Sequence, residues 1–214
     1  MRAASVIAGA ICLWGGVAPA CAQRALIVAP FVSLVEHRVD AGFGVERSFG
    51  PIIGGVGTLR LGPGVALAVR ALGGSLFGAR GVLDRDMGEL GVEGSVAMGP
   101  WLSFQAGAAR RAYGTSVGRQ TWTTVDVGAA ARVGFAGGAI QSVWRAALLP
   151  VVSVPGLPDP GIAFRAATGL DYRVRAATLG VEYSLERYDF PIDHAVRRFE
   201  QVAALTLLLK LPVR

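Results

Sequence analysis

The stretch TWTTVDVGAAARVGF, residues 121–135, has two faces. Val125, Val127, Ala129, Ala131, Val133 and Phe135 share one parity, while Trp122, Thr124, Asp126, Gly128 and Arg132 share the other. Successive side chains of an extended chain point to opposite sides, so this is a strand with one wholly apolar face and one polar face. The pattern recurs. Between 139 and 151, Ile140, Trp144, Ala146 and Leu148 oppose Gln141 and Arg145. Between 176 and 188, Leu179, Val181, Tyr183 and Leu185 oppose Glu182, Ser184 and Glu186. Near the end of the chain, Leu205, Leu207, Leu209 and Leu211 oppose Ala204, Thr206 and Lys210.

A soluble sandwich or small soluble barrel also alternates, so composition has to arbitrate. The chain of 214 residues is 52% hydrophobic and holds 30 glycines, with a mean hydropathy of +0.48. A membrane helix needs roughly 18 or more uninterrupted apolar residues. Beyond the first two dozen positions the longest charge-free run is Gly94–Ala109, and Gly99-Pro100 breaks it. A chain this apolar and this interrupted fits a barrel whose apolar face meets lipid and whose polar face meets the lumen.

Residues 1–22 read as a signal peptide. Arg2 is the positive start, Ala3–Val17 the apolar segment, and Ala20-Cys21-Ala22 offers small residues for cleavage before Gln23. An uncleaved anchor and lipid attachment at Cys21 are the competing readings. Both cysteines, Cys12 and Cys21, lie in this leader, so residues 23–214 carry no disulfide and no cysteine metal site. The formal charge of +6 comes from dispersed arginines, with Lys210 the single lysine. That is unlike a phosphate-tracking nucleic-acid stripe.

Turn signals are evenly placed. Pro63, Pro100, Gly137 and Arg173 mark centres separated by 37, 37 and 36 residues. Longer polar segments fall between them at Phe77–Gly88, Gly114–Gln120, Ser153–Pro160 and Asp189–Arg198. The strands expected are 26–36, 52–61, 65–76, 89–97, 101–112, 121–135, 139–151, 162–170, 176–188 and 199–212. That predicts an all-β, up-and-down antiparallel transmembrane barrel of ten strands, with eight as the alternative count because Arg38–Phe49 alternates weakly. An even count puts both termini on the periplasmic side. Aromatics at the strand ends, Trp101, Phe135 and Tyr172 beside short turns and Tyr113, Trp122, Tyr188 and Phe190 beside long ones, are expected to form two interfacial girdles.

With these features the chain resembles the small outer-membrane β-barrel proteins of bacteria over Leu26–Val213. The resemblance implies outer-membrane lipid and the barrel-assembly machinery as partners, with no nucleic acid and no cofactor. Many members finish on an aromatic residue, whereas this chain ends Leu211-Pro212-Val213-Arg214.

Parity places Arg60, Arg70, Arg111, Arg132, Arg145, Arg165 and Lys210 inside, together with Glu89, Glu93, Asp126, Asp171, Glu182, Glu186 and Glu200. A selective pore shows an excess of one sign in its lining. Balanced signs predict a lumen filled by structural ion pairs, and a non-enzymatic barrel with a structural or surface-contact role. The alternatives are a narrow porin for small solutes and, third, a surface protease. For the last, Asp84-Arg85-Asp86 and Asp193-His194 resemble loosely the carboxylate pair and Asp/His pair of the omptins, in which a carboxylate-held His serves as a general base. The second pair lies on a different loop from the omptin one.

Overall fold

The computed structural model describes residues 25–42, 44–192 and 196–213. The leader expected at 1–22 and the Asp193-His194 pair lie outside the described residues. Ten strands run in chain order: β1 Leu26–Asp40, β2 Val45–Gly62, β3 Val65–Gly78, β4 Arg85–Ala97, β5 Leu102–Thr115, β6 Gly118–Phe135, β7 Ile140–Ser153, β8 Ile162–Val174, β9 Ala177–Pro191 and β10 Arg197–Val213. Each pairs antiparallel with its neighbours in sequence, and β1 pairs with β10. The sheet therefore closes and leaves no edge, the one way a sheet can satisfy its backbone groups in lipid.

All ten expected strands form, and eight is excluded. Three of the four long polar connections are shorter than expected, because the ladder continues past the alternating core of each strand. Between β1 and β2 the pairing runs on through His37↔Ser48, Arg38↔Arg47, Val39↔Glu46 and Asp40↔Val45. There the outer face turns polar, so the apolar/polar contrast fades while the backbone hydrogen bonds persist.

Two ends can be told apart. The terminal end carries Leu26, Val213 and four connections, Pro63-Gly64, 98–101, 136–139 and Arg175-Ala176. Gly64 (φ 79°), Gly137 (φ 65°) and Gly138 (φ 87°) supply the left-handed conformations that these reversals require. The far end carries the other five hairpins. A bulge sits between β6 and β7, where Asp126 alone faces Leu149 and Pro150. Proline has no N–H to give a ladder, and a bulge is one place where it can sit within a sheet. The parity of β7 flips there, with Leu149 and Val152 both buried.

The outer wall is apolar: Leu34, Ile53, Leu90, Trp144, Leu148 and Leu207 are all more than half or nearly half exposed. In water such a continuous surface would mark an interaction site. Here it encircles the barrel, as a lipid-facing band does.

Candidate functional site: the barrel lumen

Inward positions of the strands build two layers that bridge walls which are not neighbours. The first is ionic. Glu89 of β4 receives Arg70 of β3 and, at 2.6 Å, Nε of Arg111 from β5. Arg111 then reaches across the lumen, its Nη1 2.8 Å from Glu186 Oε2 on β9. Glu186 also accepts from Arg165 Nε of β8 at 2.7 Å, and Arg165 Nη1 lies 3.6 Å from Asp126 on β6. Arg70–Glu89–Arg111–Glu186–Arg165–Asp126 is thus one continuous chain of alternating charge. Its middle members are withdrawn from solvent: the Glu89 side chain is 0% exposed and those of Arg111 and Glu186 are 8%. Each desolvated carboxylate at the centre meets two guanidiniums, the arrangement that offsets the cost of burying charge.

The second layer is aromatic and lies toward the far end. His37 of β1 stacks on Tyr113 of β5, ring centroids 4.6 Å apart. Trp122 of β6 meets Tyr113 edge-on at 6.2 Å, and Tyr188 and Phe190 of β9 at 5.0 and 5.7 Å. Ile52, Leu76 and Met87 are among the apolar side chains that share this core. The two layers are joined, since the Tyr188 hydroxyl donates to Glu186 Oε2 at 2.8 Å and Arg111 Nη1 donates to the Tyr113 oxygen at 3.5 Å. Edge-to-face contacts each add about 0.5–1.5 kcal/mol to what burial of the rings contributes.

Beside the rings, His37 is held from both sides. Arg85 Nη1 lies 3.2 Å from Nδ1 and Glu200 Oε2 lies 3.0 Å from Nε2. A guanidinium can only donate, so Nδ1 accepts and the Nε2–H donates to Glu200. Arg198 Nε binds the other Glu200 oxygen at 2.7 Å. Toward the terminal end, separate pairs form between Arg145 and Glu182 (2.8 Å) and between Lys210 and Asp171 (2.5 Å).

Two expectations are corrected here. Tyr113, Trp122, Tyr188 and Phe190 are not girdle residues: they are 4%, 2%, 1% and 0% exposed and fill the lumen. Their parity already matched Arg111, Asp126 and Glu186, and parity outranks position along the strand. Trp101, Phe135 and Tyr172 do lie exposed at the terminal end. Second, Arg60, Glu93 and Arg132 join no ion pair within 4.0 Å among the described residues. Arg60 and Arg132 sit at the terminal mouth, where they are exposed and water can solvate them. The inner aromatic layer and the His37–Glu200 contact were missed, although the shared parity of His37 with Ser33 and Val35 was the available signal.

The loop carboxylates are engaged locally. Asp84 Oδ1 accepts from the Gly78 amide at 2.8 Å, and Asp86 Oδ1 accepts from the Ser75 hydroxyl at 2.7 Å, so both brace their own hairpin. Arg85 between them points inward to His37.

No protein-family model and no curated protein matches this sequence. Among solved structures, the outer-membrane protease OmpT from Escherichia coli superposes with a TM-score of 0.61 at 12% identity, over 90% of this chain and 98% of that one. The translocator domain of the autotransporter NalP from Neisseria meningitidis matches with a TM-score of 0.46 at 11% identity, covering 87% of this chain and 88% of that one. Neisserial surface protein A matches with 0.39 at 13%, covering 87% and 96%. The fold is that of the bacterial outer-membrane β-barrels. At these identities the likeness extends to the fold and no further, and no family is shown.

Proposed function

We propose that the chain is a non-enzymatic integral outer-membrane barrel whose lumen is sealed, and whose role is structural or one of surface contact. The reading assigns residues 1–22 to a cleaved leader, both termini to the periplasm and the far-end hairpins to the cell surface. It names lipid and the assembly machinery as the partners met on the way. The observation that carries it is the pair of layers crossing the lumen: Arg111 to Glu186 joins β5 to β9, and His37 to Tyr113 joins β1 to β5. A lumen so tied has its charge neutralised pairwise and its cross-section filled with rings, which supports a packed interior over a conducting one. The apolar outer wall supports lipid as the surrounding solvent.

Of the carboxylates a protease reading would use, Asp84 and Asp86 each give one oxygen to a hydrogen bond within their own hairpin. Cell fractionation tests the proposal. The protein should partition with outer membranes and migrate differently on gels before and after boiling. Recovery as a soluble periplasmic protein refutes the reading.

A further inference from the structure

Outward-facing charge on the strands is confined to the far end. On β1 the outward positions from Leu26 to Leu34 are uncharged, and Glu36, Arg38 and Asp40 follow. On β9 Ala177 to Leu185 precede Arg187 and Asp189, and on β10 the outward positions from Val213 back to Ala203 precede Gln201. A charge-free run of this length is close to the roughly 9–11 residues a tilted strand needs to cross hydrocarbon. The charged positions just beyond it therefore stand at the height of lipid headgroups.

Register aligns that height into a row over four adjacent strands: Arg47 opposite Arg38, Arg38 opposite Gln201, Gln201 opposite Arg187. Arg38 and Arg187 have no carboxylate within 4.0 Å among the described residues, and Arg47 has Glu36 only at 4.0 Å. One row further out, Phe199 lies beneath two guanidiniums, Arg187 at 5.3 Å and Arg197 at 5.8 Å, which steadies both. Like charges directly opposite on neighbouring strands repel. Arg38 and Arg47 do nothing for the core to offset this, because their side chains point away from the lumen.

We propose that Arg38, Arg47 and Arg187 form a docking site for the sugar-linked phosphates of an outer-leaflet glycolipid. Guanidinium forks match phosphate oxygens two at a time, and an anion between Arg38 and Arg47 converts their repulsion into attraction. Neighbouring strands are about 4.8 Å apart, so the row is wider than one phosphodiester can cover. A disaccharide phosphorylated at both ends reaches across several strands. This site rests on the outer-membrane reading, with the far end at the cell surface.

The test uses the purified barrel in neutral detergent, with thermal unfolding followed while bis-phosphorylated lipid A, dephosphorylated lipid A or phosphatidylglycerol is titrated in. Lipid A should raise the midpoint, and the other two should act far more weakly. The double variant Arg38→Gln/Arg47→Gln should unfold at an equal or higher temperature without lipid, since the repulsion is gone. Its apparent affinity for lipid A should fall at least about tenfold, the loss of one charge-assisted contact or more. Arg110→Gln/Arg119→Gln, on the opposite sector, should bind as the parent does. Unchanged lipid A affinity in Arg38→Gln/Arg47→Gln, or phosphatidylglycerol binding as tight as lipid A, overturns the site. If the barrel inserts into vesicles and shifts on boiling, such a result removes this site alone. Failure to insert removes the membrane reading and the site with it.

Discussion

The two halves of the lumen obey the same parity and yet treat their charges differently. In the far half, Glu89, Arg111 and Glu186 are buried and every one has two or more partners. In the terminal half, Arg145 and Lys210 have one carboxylate each, Glu182 and Asp171, while Arg60 and Arg132 also point inward but stand exposed without a carboxylate within reach among the described residues. Depth makes the difference. Where rings cap the lumen, an unpaired charge would be stranded away from water, so pairing is obligatory. At the mouth water does the pairing.

The steepest test of that contrast is Glu186→Ala. It leaves Arg111 and Arg165 facing each other without their shared carboxylate, and should cost roughly 3–5 kcal/mol, measured as a lower urea midpoint in detergent. Leu207→Arg, on the outer wall of β10, should cost about 2–4 kcal/mol through exposure of charge to hydrocarbon. Thr206→Arg, one residue away and inward, is expected to do less damage, because the charge stays out of lipid. Equal loss at both positions would break the lumen-versus-lipid assignment.

Gly54→Ala probes packing inside the lumen. A Cβ there would stand 2.5 Å from the Phe31 ring and 2.5 Å from the Ala71 carbonyl oxygen. Overpacking of this kind costs roughly 1–3 kcal/mol. Thermal unfolding of the variant would show it, and Phe31→Leu in the same background should recover part of the loss.

The smallest effect sharpens the comparison most. Arg132→Ala should change stability by no more than about 0.5 kcal/mol, because that side chain is solvated and unpaired. A loss as large as that of Glu186→Ala would mean the terminal half is as dry as the far half.

Much of the fold was legible because an apolar outer wall and a polar inner wall force strict alternation. Thr121–Phe135 and Ala204–Leu211 show it without ambiguity. Strand ends were not legible, since beyond the apolar band the outer face turns polar: Arg38, Asp40 and Arg47 break the pattern while the ladder goes on. For Trp122 and Tyr188 two cues conflicted. Nearness to a hairpin suggested an interfacial ring, whereas sharing a face with Asp126 and Glu186 meant the lumen, and the backbone obeys only the second. Cross-lumen partners such as Arg111 and Glu186 depend on closure of β1 onto β10 and on the register of every strand between, information that no local pattern holds. Parity alone puts both residues in the lumen without bringing them together.

Planar-bilayer recording of the purified barrel tests the sealed lumen most directly. The two crossing layers predict insertion without steady conductance for the parent protein, and channel activity once Trp122→Ala and Glu186→Ala are combined to open both layers. A stable ohmic channel in the parent, with ion selectivity altered by Arg132→Ala, would contradict the account.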